Sequence, residues 1–409
     1  MTGPGEREPA EPAGGPQVGG PQVGGLRVRE LGDDDLEQAG ALGRLAFGGD
    51  PAAPPRPFRP GCRTWGVLEE DRLVAKAVLR DDEQWWGGRP VRMAGIAGVA
   101  VHPDGRGRGA ARTLLRVLIE QARLAGQSVS AMFPTAPGIY RTLGWEVVGA
   151  LEQTRVALSD LREVAVPPDV SLRSAGPEDL PALARLWREH GATTNGLLTR
   201  TGPCFPRGPL GVLEADVVTL AELAGEPVGY LSYDRGRGYG PETELQVHEL
   251  VAAGPVAVRA LLAALGNWDS VAAAVQWRGP TDDLALVLRR AVPPPHEARP
   301  WMLRVLDAPG AVAARDYPAG TALDASFLLV DPEVPSHAGA WQLRVSDGSG
   351  RLERVAARPG LPVLHVRGLG LLYAGVDDAR VRRAGLLDRP LPELAAAFAG
   401  PRPQLLDYF

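Results

Sequence analysis

Val99-Ala100-Val101-His102-Pro103-Asp104-Gly105-Arg106-Gly107-Arg108-Gly109-Ala110-Ala111 decides how this 409-residue chain is read. Valines at alternate positions predict the end of a strand. The alternating glycines and arginines predict a tight loop, and Arg112-Thr113-Leu114-Leu115-Arg116-Val117-Leu118-Ile119 predicts a helix directly behind it. Glycine lets backbone N–H groups turn inward and approach a ligand closely. At a helix N-terminus those amides lack partners and the dipole end is positive, which favours a phosphate. Arg106 and Arg108 add guanidinium donors. The stretch therefore reads as an anion cradle, best suited to a pyrophosphate. No Gly-Lys-Ser/Thr follows, so it is not a P-loop, and the glycine order and downstream acid of a dinucleotide fold are missing.

Further along, Ser128-Val129-Ser130-Ala131-Met132-Phe133 predicts another strand, followed by Pro137-Gly138-Ile139-Tyr140-Arg141-Thr142-Leu143-Gly144-Trp145-Glu146-Val147. Taken with Arg106-x-x-Gly109-x-Ala111, this succession resembles the GCN5-related N-acetyltransferases (GNAT). In that family the two strands splay apart and the pantetheine arm of acetyl-coenzyme A enters the gap. The resemblance implies Val99, Ala100, Val101, Arg106, Gly107, Arg108, Gly109, Ala110, Ala111 and Thr135 as coenzyme contacts, with Tyr140 near the thioester sulfur.

Composition fits a soluble globular protein: 44% hydrophobic, 23% charged. With a net charge of −5, the chain as a whole offers no attraction to a nucleic-acid backbone. Lys76 is the only lysine among 44 Lys and Arg residues, a bias that fits a GC-rich coding sequence. Cys62 and Cys204 are too few for a disulfide framework. The six histidines lack metal-ligand spacing, so no metal is expected. No apolar run approaches the ~20 residues that span a bilayer, so a cytoplasmic protein with neither membrane nor nucleic-acid partner is expected.

Residues 1–25 are Gly/Pro-rich and carry a tandem Pro-Gln-Val-Gly-Gly at Pro16 and Pro21, which predicts a disordered tail. An internal repeat follows. Leu26-Arg27-Val28-Arg29-Glu30-Leu31-Gly32-Asp33-Asp34-Asp35-Leu36 is echoed by Val170-Ser171-Leu172-Arg173-Ser174-Ala175-Gly176-Pro177-Glu178-Asp179-Leu180, with Arg, Gly, Asp and Leu matching at one offset. Two tandem acetyltransferase-like, mixed-sheet α/β units are expected, at 26–165 and 166–298. The second has no cradle: Ala252-Ala253-Gly254-Pro255 stands where the loop should be, and Pro255 has no N–H to give a phosphate. One coenzyme site per chain is expected. Residues 299–409 mix strands and helices as an α+β domain. With the doubled unit before it, this region resembles the sterol-carrier-like domain of the Eis (enhanced intracellular survival) acetyltransferases, and the likeness runs from Leu26 to Phe409.

That resemblance implies direct acetyl transfer to a primary amine. Tyr140 would be general acid to the thiolate, and the carboxylate of the last residue, Phe409, base or orienter. A phenol near pKa ~10 is an ordinary positioned acid. The carboxylate is harder: about 7 units below an amine, full proton removal costs roughly 9 kcal/mol, over half of a barrier of about 16 kcal/mol. Burial of the carboxyl, a lowered amine or later proton loss each relieves this. A polyamine or aminoglycoside acceptor calls for an acidic, aromatic pocket, for which Asp50, Trp65, Trp85, Trp86 and Asp407 are the candidates. Eis relatives often place an acid before the terminal phenylalanine; here Tyr408 stands there. A peptide or protein-lysine acceptor, and a non-enzymatic apolar-ligand protein, are the alternative readings. The resemblance also implies a homo-oligomer, a hexamer.

Overall fold

The computed structural model describes residues 22–409 except 24 and 51, so the expected tail at 1–25 falls almost wholly outside the described residues. One sheet of thirteen strands runs through both expected units. A separate four-stranded sheet, with the helices Ala308–Ala314, Val366–Tyr373, Asp378–Arg383 and Pro392–Ala397, forms most of the third region.

The repeat is real at the level of single hydrogen bonds. Arg29 donates twice to Asp35 at 2.6 and 2.8 Å, and Asp35 accepts from the Gly32 N–H at 2.9 Å. Arg173 donates twice to Asp179, both at 2.7 Å, and Asp179 accepts from the Gly176 N–H at 2.9 Å. In each unit the aspartate ends a short 3-10 turn (Asp33–Asp35 or Pro177–Asp179), closes it on the glycine before it and leads into the helix behind (Leu36–Phe47 or Leu180–Ala192), while the arginine ties it to the preceding strand.

The boundary expected at 298/299 cuts a strand. Glu297–Val305 crosses back and lies between Val129–Met132 and Glu146–Ala157, pairing antiparallel with both. It completes the first unit's sheet. Its Trp301-Met302-Leu303-Arg304-Val305 run is buried because a strand with neighbours on both edges and layers on both faces alternates with nothing. The strand Glu146–Ala157 is the seam: its first half pairs with Glu297–Val305 and its second half with Ala272–Arg278 of the second unit.

Arg304 on this inserted strand explains why the third region matters to the first. It is fully buried, bidentate to Asp331 at 2.8 and 3.0 Å, and donates to the Leu143 carbonyl at 2.6 Å. Gly144, at φ 96°, makes room for it, since a Cβ there would lie 1.5 Å from the guanidinium. Glu146 likewise holds both Arg141 and Arg367. The short helix Pro137–Thr142, which carries Tyr140, is thus clamped from the third region by two arginines.

Candidate active site

The strand Arg89–Val101 pairs in parallel with Val129–Met132 only from Met93 to Gly95. Beyond that the two diverge. On its other edge the strand stays paired, Ala97 to Val78 and Ala100 to Lys76, with an extra residue accommodated at Gly98, φ 54°. This bulge bends the strand where the wedge opens. Val99, Ala100 and Val101 therefore present a backbone edge that no other strand uses, along a cleft of ≈ 690 Å³.

At the mouth of the cleft, Gly107 and Gly109 take φ of 75° and 81°, the left-handed region, and the helix Ala110–Leu124 starts directly after them. Nothing lies within 4 Å of where a Cβ would sit at either glycine. The constraint is thus backbone conformation, and it directs unpaired first-turn amides into the cleft. Arg106, Gly107, Gly109, Ala110, Ala111 and Thr135 line it, as expected. Arg108 does not: its guanidinium is paired with Glu69 and turned away from the cleft. Arg112 takes its place, lining the wall and donating to the Thr142 hydroxyl at 3.1 Å. An arginine in the first turn behind the glycines was the available signal. A free strand edge, amides at a helix start and two cleft arginines fit a pantetheine arm and pyrophosphate.

Tyr140 lines the same cleft although only 3% exposed. Burial pushes its phenol up to about 12. It thus stays protonated at neutral pH. Full transfer of that proton to a free thiolate near pKa ~8.5 would cost about 5 kcal/mol, within a typical barrier of about 16 kcal/mol.

Phe409 reaches the other flank of the same strand. The segment 401–409 is held by the Gln404 N–H on the Asn195 carbonyl at 2.8 Å, Arg278 on the Leu406 carbonyl at 2.5 Å and Arg200 on Asp407 at 3.0 Å. Its end stacks on Phe133, with Tyr408 and Phe409 rings at 4.8 and 6.0 Å, and the Arg80 guanidinium lies 4.7 Å from the Phe409 ring centre. Phe409 borders two cavities, one of ≈ 590 Å³ that also touches Ala97 and Gly98, and one of ≈ 550 Å³ toward the second unit.

The expected acidic, aromatic acceptor wall is not what surrounds Phe409. Trp86 is fully buried, donates to Gln84 at 3.0 Å and packs its ring 5.1 Å from Tyr373. Trp65 sits in the first unit's core. Trp85 packs against Leu183 and Trp187, and with Trp187 it lines a separate small cavity between the units. All three are core residues because they lie in long strands covered on both faces. Asp407 borders the ≈ 550 Å³ cavity but is held by Arg200. Asp50 does border the ≈ 590 Å³ cavity. The other charged side chains lining that cavity are Arg44, Arg56, Arg59, Lys76 and Arg80. Where the two cavities meet, Cys62 and Cys204, 142 residues apart in sequence, bring their sulfurs to 3.7 Å. The hydrogen bond from Cys204 draws the Cys62 thiol down to about 7.

Two stretches match the acetyltransferase (GNAT) domain family, residues 27–148 and 196–305. An uncharacterized N-acetyltransferase of Streptomyces coelicolor is 27% identical over 333 residues, covering 76% of this chain and 78% of that one. The crystal structure of a GCN5-related N-acetyltransferase from Kribbella flavida superposes with TM-score 0.81 at 34% identity, over 94% of this chain and 98% of that one. Eis1 from Mycobacterium abscessus shares the fold, with TM-score 0.72 at 22% identity over 94% and 100% of the two chains. A free strand edge ending in a glycine-shaped helix start, in a chain with this likeness over almost its whole length, makes the protein a member of the GCN5-related N-acetyltransferases and an acetyl-coenzyme A-dependent enzyme.

Proposed function

We propose that the chain acetylates a primary amine of a small molecule by direct transfer, in the manner implied by its Eis likeness. One observation carries the reading: Tyr140 and Phe409 approach the strand Ala97–Val101 from opposite flanks, one in the coenzyme cleft and one in the neighbouring cavity. Bound acetyl-coenzyme A supplies the activated acetyl group. The backbone of Val99 to Val101 and the amides after Gly109 hold and orient it. The Tyr140 phenol, kept protonated by burial, donates toward the departing sulfur. The Phe409 carboxylate orients the amine and accepts its proton once attack has begun, which avoids the cost of full prior deprotonation.

A polyamine or aminoglycoside acceptor, by contrast, draws no support from the residues around Phe409. A polycation needs unpaired carboxylates. Here Asp407 is already held by Arg200, and in the cavity beside the strand Asp50 stands against four arginines and Lys76.

The second unit is read as structural and the third as a support for the Tyr140 helix, whatever its sterol-carrier likeness. A cytoplasmic homo-oligomer, by resemblance a hexamer, completes the reading; sedimentation would check it. No helix among the described residues is long and apolar enough to cross a membrane. The decisive measurement is release of free thiol from acetyl-coenzyme A with and without a panel of small amines and peptides. Amine-dependent release lost in both Tyr140→Phe and a C-terminally extended enzyme supports the reading. Release that only peptides stimulate would replace the small molecule with a polypeptide acceptor.

A further inference from the structure

We infer that the acceptor amine carries an anionic oxygen group, a carboxylate or phosphate, received by Lys76 together with Arg59 and Arg56. The inference rests on the reading of the site above and specifies its substrate class.

Lys76 is the chain's only lysine. It sits in the interior of the strand Arg72–Trp86, and period-two alternation puts Lys76, Val78 and Arg80 on one face, all lining the cavity of ≈ 590 Å³. Its backbone pairs with Ala100, so it lies directly beside the strand whose far edge forms the coenzyme cleft. Its ammonium is seated against the helix Leu36–Phe47 at Gly43, where a Cβ would come to 3.0 Å of Nζ. The side chain is half-buried, and among the described residues it makes no hydrogen bond or ion pair. Burial alone pulls its ammonium below the ordinary lysine value.

A half-buried ammonium without an acceptor is costly, and the cost is relieved when a ligand brings one. Arg56 and Arg59, on the loop across the cavity, also make no ion pair among the described residues. Arg44 and Arg80 are neutralised differently, by Glu37 at 3.6 Å and Asp82 at 2.7 Å. Three cations without a protein counter-charge thus line one cavity, the half-buried Lys76 and the exposed Arg56 and Arg59, against Asp50 and the terminal carboxylate assigned to the amine. A carboxylate or phosphate accepts from all three. A second ammonium would face these three cations once Asp50 and the terminal carboxylate have taken the reacting amine.

The test compares three acceptors of equal chain length: an α,ω-diamine, the matching ω-amino carboxylate and the matching aminoalkyl phosphate, each over several lengths, with thiol release as readout. The anionic amines of the best length should exceed the diamine in kcat/KM by about 10- to 100-fold, the span of one or two charge-assisted contacts. Lys76→Gln should raise their KM by a similar factor without weakening coenzyme binding in calorimetric titration. Arg59→Glu, on an exposed loop where folding is not at stake, should shift preference back toward the diamine. A diamine turned over as fast as the anionic amines overturns the proposal while leaving direct acetyl transfer standing. So does an unchanged KM in both variants. If no amine of any class is acetylated by an enzyme that binds coenzyme, the acceptor site itself has been misread and both fall.

Discussion

The first unit joins Arg29 to Asp35 and the second joins Arg173 to Asp179 in the same geometry, yet the wedges between their central strands are put to opposite use. In the first, the strand Arg89–Val101 runs on past its last pair at Gly95 with a free edge, and glycines shape the helix start at its end. In the second, Gly240–Ala252 also runs on past its last pair at Val247. There the chain's own C-terminal segment is pinned to both strands: Glu249 is held by Arg200, which also holds Asp407, and Arg278 holds the Leu406 carbonyl. The turn that follows has an extended Gly254 at φ −179° and then Pro255. A duplicated scaffold thus keeps one wedge open for a ligand and uses the other to anchor the segment that ends at Phe409. The Arg–Asp tie recurs in both units, whereas the glycine-shaped helix start occurs in the first alone.

The sharpest attempt to break this asymmetry is Gly109→Pro. Proline fixes φ near −65° and cannot adopt 81°, so coenzyme binding should disappear in calorimetric titration. Gly254→Ala, in the equivalent turn, has open space and permitted backbone, and should leave affinity unchanged. Binding stoichiometry should be near one per chain; a value near two would restore the second wedge as a site.

Next in size is the end of the chain. One residue added after Phe409 moves the carboxylate by ~3.5 Å, beyond proton-transfer reach. Turnover should fall by ~10²–10⁴ with coenzyme affinity nearly unchanged, and Tyr140→Phe should match it. Because burial raises Tyr140 to about 12, the acid is present at every accessible pH. The pH profile of kcat should therefore rise as the amine deprotonates and show no alkaline decline through pH 10. A decline centred near 10 would mean an ordinary, solvated phenol.

A smaller effect separates the two loop arginines, Arg106 in the cleft and Arg108 outside it. Arg106→Ala should weaken coenzyme binding by about 1.5–3 kcal/mol, the range for a contact to a charged group. Arg108→Ala should leave it unchanged, since that side chain is engaged with Glu69. Equal losses in the two would mean that Arg108 abandons its partner when ligand arrives.

Smallest are the twin Arg–Asp ties. Asp35→Ala and Asp179→Ala each remove a part-exposed arginine pair and a backbone hydrogen bond and should cost about 0.5–1.5 kcal/mol in thermal denaturation at neutral pH. Their arginine partners hold both carboxyls below the usual value, Asp179 to about 2. Depressed carboxyls stabilise above their unfolded pKa and lose that contribution as pH falls through the folded one. The difference between wild type and Asp179→Ala should thus shrink below pH ~4 and nearly vanish around 2, and that for Asp35→Ala should shrink in the same direction. A difference that persists at pH 2 would assign the effect to packing.

The cradle, the tyrosine helix and the repeat were legible in the sequence because each is local. Glycines at Gly107 and Gly109 announce φ values that other residues avoid, and an Arg-x-x-Gly-x-x-Asp spacing forms its bonds within six residues. What the sequence alone left undecided was every feature made by residues far apart in the chain. It read Trp301–Val305 as the start of a new domain, because an apolar run does not say between which strands it is inserted. It proposed Trp65, Trp85 and Trp86 as acceptor contacts, because an aromatic in a strand has the same appearance facing a cavity or a core. It also expected an acidic acceptor wall. Only the tertiary structure brought Arg56 and Arg59 across from Lys76, closed Arg200 on Asp407 and carried Phe409 back to the strand Ala97–Val101. Charge in a cavity is the sum of side chains delivered by several elements, and pairing decides which of them remain free.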